Sequence, residues 1–301
     1  MEILITGGTG LIGRRLCAAL TAQGHSLTVL SRRSKMVPTL CGAGVKAISS
    51  LDEYHSDLCF DAVINLAGEP IADARWSEQR KQKLRQSRID LTESLMQKIR
   101  MASHRPKVFL SGSAVGFYGN GGDVVFSEQA PAGGDFAAQL CVDWEAAGMG
   151  AAAMGIRTCI LRTGLVLDNT GGILQKMRLP FSLGLATRIG DGYQWMSWIH
   201  MQDYIAIVLF LLQHENAVGC FNLVAPEPVT NRKFTRLLAI ALHRPVLFVT
   251  PAFFLNLVLG DMAELVVGGQ RVIPAKLKSL GYEFKYPSLL PALTDLLRSS
   301  R

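Results

Sequence analysis

The sequence predicts an α/β fold: a doubly wound parallel sheet with helices on both faces, followed by a smaller, mostly helical carboxy-terminal lobe. Three observations lead there. Short apolar runs alternate with stretches of helical periodicity through the first two-thirds of the chain. A glycine-rich loop joins the first run to the first helical stretch. After Gly164 the alternation loosens, and glycines and prolines punctuate the chain.

In order, Ile3 to Thr6 reads as a strand, and Leu11, Leu16 and Leu20 follow at helical spacing to a stop at Gly24. Leu27 to Leu30 and Ala62 to Leu66 are the next strands. Ser77 to Met101 reads as one long polar-faced helix, Lys107 to Ser111 as a strand, Phe136 to Met154 as an alanine-rich helix and Ile156 to Arg162 as a strand. Asp203 to Gln213 is strongly apolar and helical, with Asp203 read as its N-cap. Gly219 to Val224 looks like a strand, and the rest is mostly helical, with Thr230 or Asn231 as an N-cap. Val246 to Val267 is apolar but interrupted by Pro251, Asn256, Asp261 and Glu264, so it reads as a buried or interface helix, not a membrane span. The expected division is a dinucleotide-binding domain over 1–225, with 165–200 contributing to the second lobe, and a small helical substrate-side region over 226–301.

The loop is the most informative motif. Gly8, Gly10 and Gly13 satisfy G-x-G-x-x-G, and Gly7, Gly10 and Gly13 satisfy G-x-x-G-x-x-G, between a strand and a helix. The first glycine allows the tight turn, the middle one lets the backbone approach a pyrophosphate, and the last lets helix pack on strand. The helix start then offers unpaired N–H groups and a positive dipole end to the phosphates. The loop from Gly7 through Thr9, Gly10, Leu11 and Ile12 to Gly13 is therefore the predicted cradle of a Rossmann-type domain.

The cofactor is predicted to be NADP. An NAD site places an acid about 20 residues after the loop to hold the ribose 2′-OH. No Asp or Glu stands between Glu2 and Asp52; the second strand ends in Ser31-Arg32-Arg33, with Lys35 close by. Guanidinium groups suit a 2′-phosphate by charge and by stacking on adenine.

Composition narrows the remaining classes. With 301 residues, 49% of them hydrophobic, the chain can bury one large core or two modest ones. It begins without a charged n-region or a signal-like apolar segment, and its six cysteines are scattered, so a cytoplasmic protein with free thiols is expected. Dispersed histidines and cysteines predict no metal site. The net charge of +7 is densest from Arg75 to Arg88, which reads as a solvated helix face. No nucleic-acid motif accompanies it, so the expected partner is a small-molecule substrate, with no nucleic acid and no membrane; the oligomeric state is open.

Taken together, Thr6 to Gly13, Asn65-Leu66-Ala67-Gly68, Ser111-Gly112-Ser113-Ala114, Trp144-Glu145, Arg162-Thr163-Gly164, Ser197-Trp198-Ile199-His200 and Gly268 to Pro274 resemble the extended short-chain dehydrogenase/reductases. More narrowly, they resemble an atypical "epimerase family protein" subgroup with a small helical carboxy-terminal domain. The resemblance covers nearly the whole chain. It implies about seven strands, and Ser31 and Arg32 on the adenosine 2′-phosphate. It implies Leu66, Ala67 and Gly68 along the cofactor, Arg88 and Lys83 reaching it from the side, and Ser111 and Arg162 bordering the nicotinamide half.

The resemblance also marks a departure. Active members pair a Ser or Thr with Tyr-x-x-x-Lys, in which the lysine lowers the tyrosine pKa. Ser113 is placed like the catalytic serine. Where the tyrosine and lysine should follow stand Phe136 and Leu140, or in the neighbouring frame Ala137 and Cys141. None of the four repeats the pair. Tyr118 lies on the wrong element, and Asp143 and Glu145 read as solvent-facing. His200 is the imidazole nearest the expected cleft and the remaining acid/base candidate, although a histidine hydrogen-bonded in the core is the favoured reading. Two functions stay open: an NADP-dependent oxidoreductase or nucleotide-sugar epimerase-like enzyme with a non-standard proton path, and a non-catalytic NADP-binding sensor or regulatory protein.

Overall fold

Ile3 and Ile5 point to one side of the first strand and Leu4 to the other, and both sides are buried. A strand apolar on both faces belongs inside a covered parallel sheet. That is its place in the computed structural model, which describes residues 1–298 other than 57, 185 and 247. The strands are β1 (Glu2–Thr6), β2 (Ser26–Leu30), β3 (Lys46–Ile48), β4 (Ala62–Asn65), β5 (Val108–Ala114), β6 (Arg157–Thr163) and β7 (Gly219–Leu223). They form one sheet in the order β7-β6-β5-β4-β1-β2-β3, with every neighbouring pair parallel. The order reverses between β1 and β4, which opens a crevice at their carboxyl ends.

Helices Leu11–Ala22 and Met201–Gln213 cover one face, with Leu16, Leu20, Ile207, Val208 and Leu211 against the sheet. Helix Ile89–Met101 covers the other through Leu95, Met96 and Ile99, and helix Phe136–Met149 packs beside it.

The second lobe has its own core. Leu174 and Phe181 of helix Gly172–Ser182, Phe234 and Leu238 of helix Asn231–Ala241, and Leu289, Leu293 and Leu296 of helix Leu289–Arg298 surround Trp198. The carboxy-terminal region is nonetheless threaded through the first domain. Leu277 lies in the sheet core, and Arg271–Val272 pairs in parallel with Val125–Phe126. Residues 299–301 of that region lie outside the described residues.

Several expected elements differ. The long helix over Ser77 to Met101 is two helices, Glu78–Gln86 and Ile89–Met101, broken at Ser87 and Arg88. There the Ser87 hydroxyl donates to the Leu84 carbonyl and accepts the Glu69 N–H, so it serves the loop after β4. Helix Phe136–Met149 ends before Gly150, and a short 3₁₀ turn, Ala152–Met154, follows. Asp203 is not an N-cap, because its helix starts two residues earlier. The His200 ring nitrogen Nδ1 caps it by accepting the Gln202 N–H, while Asp203 accepts the N–H groups of Lys285 and Tyr286. Thr230 does cap its helix, through the Lys233 N–H.

The apolar stretch from Val246 to Val267, apart from Leu247, which lies outside the described residues, is not one buried helix. It is strand Phe248–Thr250, helix Ala252–Leu259, a 3₁₀ turn and helix Glu264–Val267. Helix Ala252–Leu259 buries none of its residues, and Phe253 and Leu257 are each 72% exposed. Among the described residues no helix is long and apolar enough to cross a membrane.

Candidate functional site

The Gly7–Gly13 loop stands at the crevice. Its glycines are required by close packing as well as by conformation. Gly7 has φ +73°, and a Cβ there would lie 2.6 Å from the Leu66 carbonyl oxygen. A Cβ on Gly13 would lie 2.3 Å from the Gly7 oxygen and 2.6 Å from the Gly8 Cα. Gly10 begins helix Leu11–Ala22 with no side-chain cap and no acid in the first turn. The first amides of that helix, from Leu11 and Ile12 to Gly13, are thus turned to the opening without an internal anion. This suits a pyrophosphate.

The loop is braced from β4. The Thr6 hydroxyl donates to Asn65 Oδ1 (2.6 Å) and accepts the Ala67 N–H (3.2 Å), and the Leu66 N–H bonds the Thr6 carbonyl. Leu66 and Ala67 are half-buried beside Gly7, and Gly68 is exposed.

At the end of β2, the Ser31 hydroxyl accepts the Arg33 N–H and lies 3.5 Å from the Thr9 hydroxyl. Ser31 and Thr9 therefore flank the same edge of the crevice. The Arg32 guanidinium is 88% exposed and makes a 2.7 Å ion pair with Glu69. The second cation on Glu69 is Arg80, at 3.6 Å. Lys83, expected to approach from this helix, is exposed. Arg88 is half-buried: it lies under Gly68 and over the Trp144 ring and donates to the carbonyls of Glu69 and Leu84. It holds the loop after β4 in place. Two other cations of the basic run are paired with acids, Lys81 with Glu78 and Asp261, and Arg85 with Asp143.

Behind the crevice the structure gathers a cluster that the sequence did not reveal. Ser113 and Arg162 are register partners on β5 and β6. Both meet Glu145, which lies on the buried side of helix Phe136–Met149. The Ser113 hydroxyl donates to Glu145 Oε1 (2.6 Å), and Arg162 forks onto both carboxylate oxygens, each at 2.9 Å. The remaining Arg162 nitrogen donates to the Tyr118 hydroxyl (3.0 Å) and the Glu128 carbonyl, and the guanidinium lies 3.5 Å from the Phe117 ring centroid. Tyr118 donates to Asn222 Oδ1 (2.6 Å), and burial pushes its phenol up to about 12. Tyr118 is a member of this packed network.

One expectation is corrected here, and two expected cofactor-side residues are found buried. Glu145 does not face solvent: positions 137, 138, 141, 144, 145 and 148 form one buried stripe, and an acid within that stripe was the available signal. Arg162, expected to border the nicotinamide half, is 4% exposed and spends all three guanidinium nitrogens on the cluster. The Ser111 side chain is fully buried; its hydroxyl accepts from Asn65 and packs against Gly148 under the helix. Asp143, in contrast, is a surface partner of Arg85.

His200 is not brought to Ser113. Its Nδ1 is used as a cap, its ring stacks on Tyr286 (3.9 Å), and Nε2 faces Asp295 at 3.4 Å. It borders a cavity of about 480 Å³ with Arg15, Asp168, Gln202 and Asp295, between helix Leu11–Ala22 and the last helix. Burial lowers its pKa against the pull of Asp295, Asp203 and Asp168. At the tyrosine and lysine positions, Phe136 packs edge-on against Trp76, while Ala137, Leu140 and Cys141 are buried, the Cys141 thiol being pushed up to about 11 by burial. No group of three or more His, Cys, Asp or Glu residues that could hold a metal occurs among the described residues.

Comparison with known proteins agrees with this architecture. Residues 3–224 match the model of the NAD dependent epimerase/dehydratase family, and residues 250–296 match a domain of unknown function, DUF1731. The chain is 39% identical over 298 residues to "Epimerase family protein ML0860" of Mycobacterium leprae, covering 97% of this chain and 94% of that protein. It is 36% identical to "Epimerase family protein MW0731" of Staphylococcus aureus, covering 99% of each. Among solved structures it is similar to human epimerase family protein SDR39U1 with NADPH, with TM-score 0.89, 33% identity and 99% of both chains covered. A UDP-glucose 4-epimerase from Thermotoga maritima, 20% identical with TM-score 0.80, shares the fold.

Proposed function

The chain belongs to the NAD-dependent epimerase/dehydratase family, and on that premise we propose that it binds NADP(H) across the β1–β4 crevice. We further propose that it performs oxidoreductase chemistry without a Tyr-x-x-x-Lys pair. The observation that carries the reading is the uncapped helix start behind the Gly7–Gly13 cradle, with Arg32 at the adjoining strand end. The human relative's structure with NADPH supports the phosphorylated cofactor.

Bound there, a nicotinamide dinucleotide supplies or accepts a hydride; the protein must supply binding, orientation and a route for a proton. Gly7, Gly10 and the first helical amides would hold the pyrophosphate, and Arg32 the 2′-phosphate. Ser113 is the family-like hydroxyl. Its hydroxyl already donates a hydrogen bond to Glu145, so a proton moves through Ser113 only if the hydroxyl passes its own proton to Glu145 as it accepts another. Glu145 is then the inner end of the path, and Arg162 fixes its orientation.

The test is NADPH oxidation, followed by absorbance, against panels of carbonyl compounds and nucleotide sugars. Turnover that is lost in Ser113→Ala and retained in His200→Asn is the expected result. A second reading, an NADP(H)-binding sensor without turnover, is favoured by one observation: the Ser113 hydroxyl is 4% exposed and committed to a sealed cluster. Tight NADPH binding with no turnover on any panel member would select it.

A further inference from the structure

The sequence places no acid at the end of β2. The fold brings one there from another strand. Glu69 lies four residues beyond β4, and its carboxylate meets Arg32 at 2.7 Å and Arg80 at 3.6 Å. Its backbone is fixed on both sides: the N–H donates to the Ser87 hydroxyl (3.0 Å), and the carbonyl accepts from Arg88 (2.9 Å). Arg80 also donates to the next carbonyl, that of Pro70. Glu69 is therefore the anchored partner. Arg32, 88% exposed, is the one able to turn away.

We propose that Glu69 is a specificity-determining residue: an internal anion that competes with the 2′-phosphate of NADP(H) for Arg32 and Arg80 and so holds down the preference for NADP(H) over NAD(H). The proposal rests on the reading that Arg32 takes the 2′-phosphate. A phosphate arriving at Arg32 meets a guanidinium that already shares its charge with a carboxylate through Nη2; it must share that cation or displace the carboxylate, and in either case lies near it, where like charges repel. NAD(H), which has only a hydroxyl at this position, does not need the cation. The cations beside Glu69, Arg32 foremost, hold its carboxyl below the usual range, so protonation does not relieve the competition near neutral pH. The pair is exposed, so the effect is modest and weakens with salt.

The experiment is calorimetric titration of NADPH, NADH and 2′,5′-ADP into the wild-type protein, Glu69→Gln, Arg32→Gln and the double variant, at low and high salt. Gln keeps the shape of Glu, and the bonds that anchor residue 69 are made by its backbone. The expected result is that Glu69→Gln binds NADPH and 2′,5′-ADP about two- to fivefold more tightly at low salt. NADH binding should not tighten, and the gain should shrink at high salt. In the Arg32→Gln background the gain should fall. If Arg32→Gln weakens NADPH binding but Glu69→Gln fails to strengthen it, the competition is refuted while the 2′-phosphate reading stands. If Arg32→Gln leaves NADPH binding unchanged, that reading fails, and the proposal with it.

Discussion

Glu145→Ala should be among the most damaging single substitutions in the chain. In the native protein its carboxylate receives four hydrogen bonds, one from Ser113, two from Arg162 and a weak one from the Cys220 thiol (3.6 Å), with side chains 9% and 5% exposed for Glu145 and Arg162. Removing it leaves a guanidinium in the core with two remaining acceptors, the Tyr118 hydroxyl and the Glu128 carbonyl. Breaking a buried pair from one side costs about 3–5 kcal/mol, because the surviving charge is uncompensated. That corresponds to a Tm lower by roughly 5–8 °C in a chain of this size. Replacing both partners with apolar residues, Glu145→Leu with Arg162→Met, should recover much of the loss, since no charge is then stranded. Urea denaturation and calorimetric melting of the two single variants and the double variant measure this. A loss below about 1 kcal/mol for Glu145→Ala would refute the reasoning, because it would mean that the cluster is hydrated.

Two further predictions concern the cradle and His200. Gly13→Ala should cost about 1–3 kcal/mol or more and abolish NADPH binding, because the new methyl meets only backbone. Gly10→Ala, with its nearest contact at 3.2 Å, should cost under about 1 kcal/mol and weaken binding while leaving the fold intact; melting curves and NADPH titration separate the two. His200 has its pKa lowered below the ordinary 6.5 by burial. The unfolded chain therefore takes up that proton first on acidification. The stability linked to neutral His200 is fully present above pH 6.5 and is lost as the pH falls from there through the folded value. An NMR titration of the imidazole should place its midpoint below 6.5, and His200→Asn, which can still cap the helix, should flatten the stability profile between that midpoint and pH 6.5. A midpoint above 6.5 would mean that Asp295, Asp203 and Asp168 dominate.

What could be read from the sequence was what depends on local pattern. The succession of most strands and helices along the chain, the cradle and the Thr230 cap follow from periodicity, glycine placement and side-chain type. The break at Ser87 carries no glycine or proline, because it arises from bonds to the loop after β4. Helix Ala252–Leu259 is apolar and yet exposed, since composition cannot say which surface a segment meets. The Ser113–Glu145–Arg162 cluster depends on the β5–β6 register, and the Arg32–Glu69 pair on a crossover between strands. Glu145 alone left a trace, as an acid at a buried-stripe position.

The central claim is that the Gly7–Gly13 cradle and Arg32 together form an NADP(H) site. Side-by-side titration of NADPH and NADH into the wild-type protein tests it most directly. The account predicts saturable binding with NADPH the tighter ligand. Equal or tighter binding of NADH would contradict it.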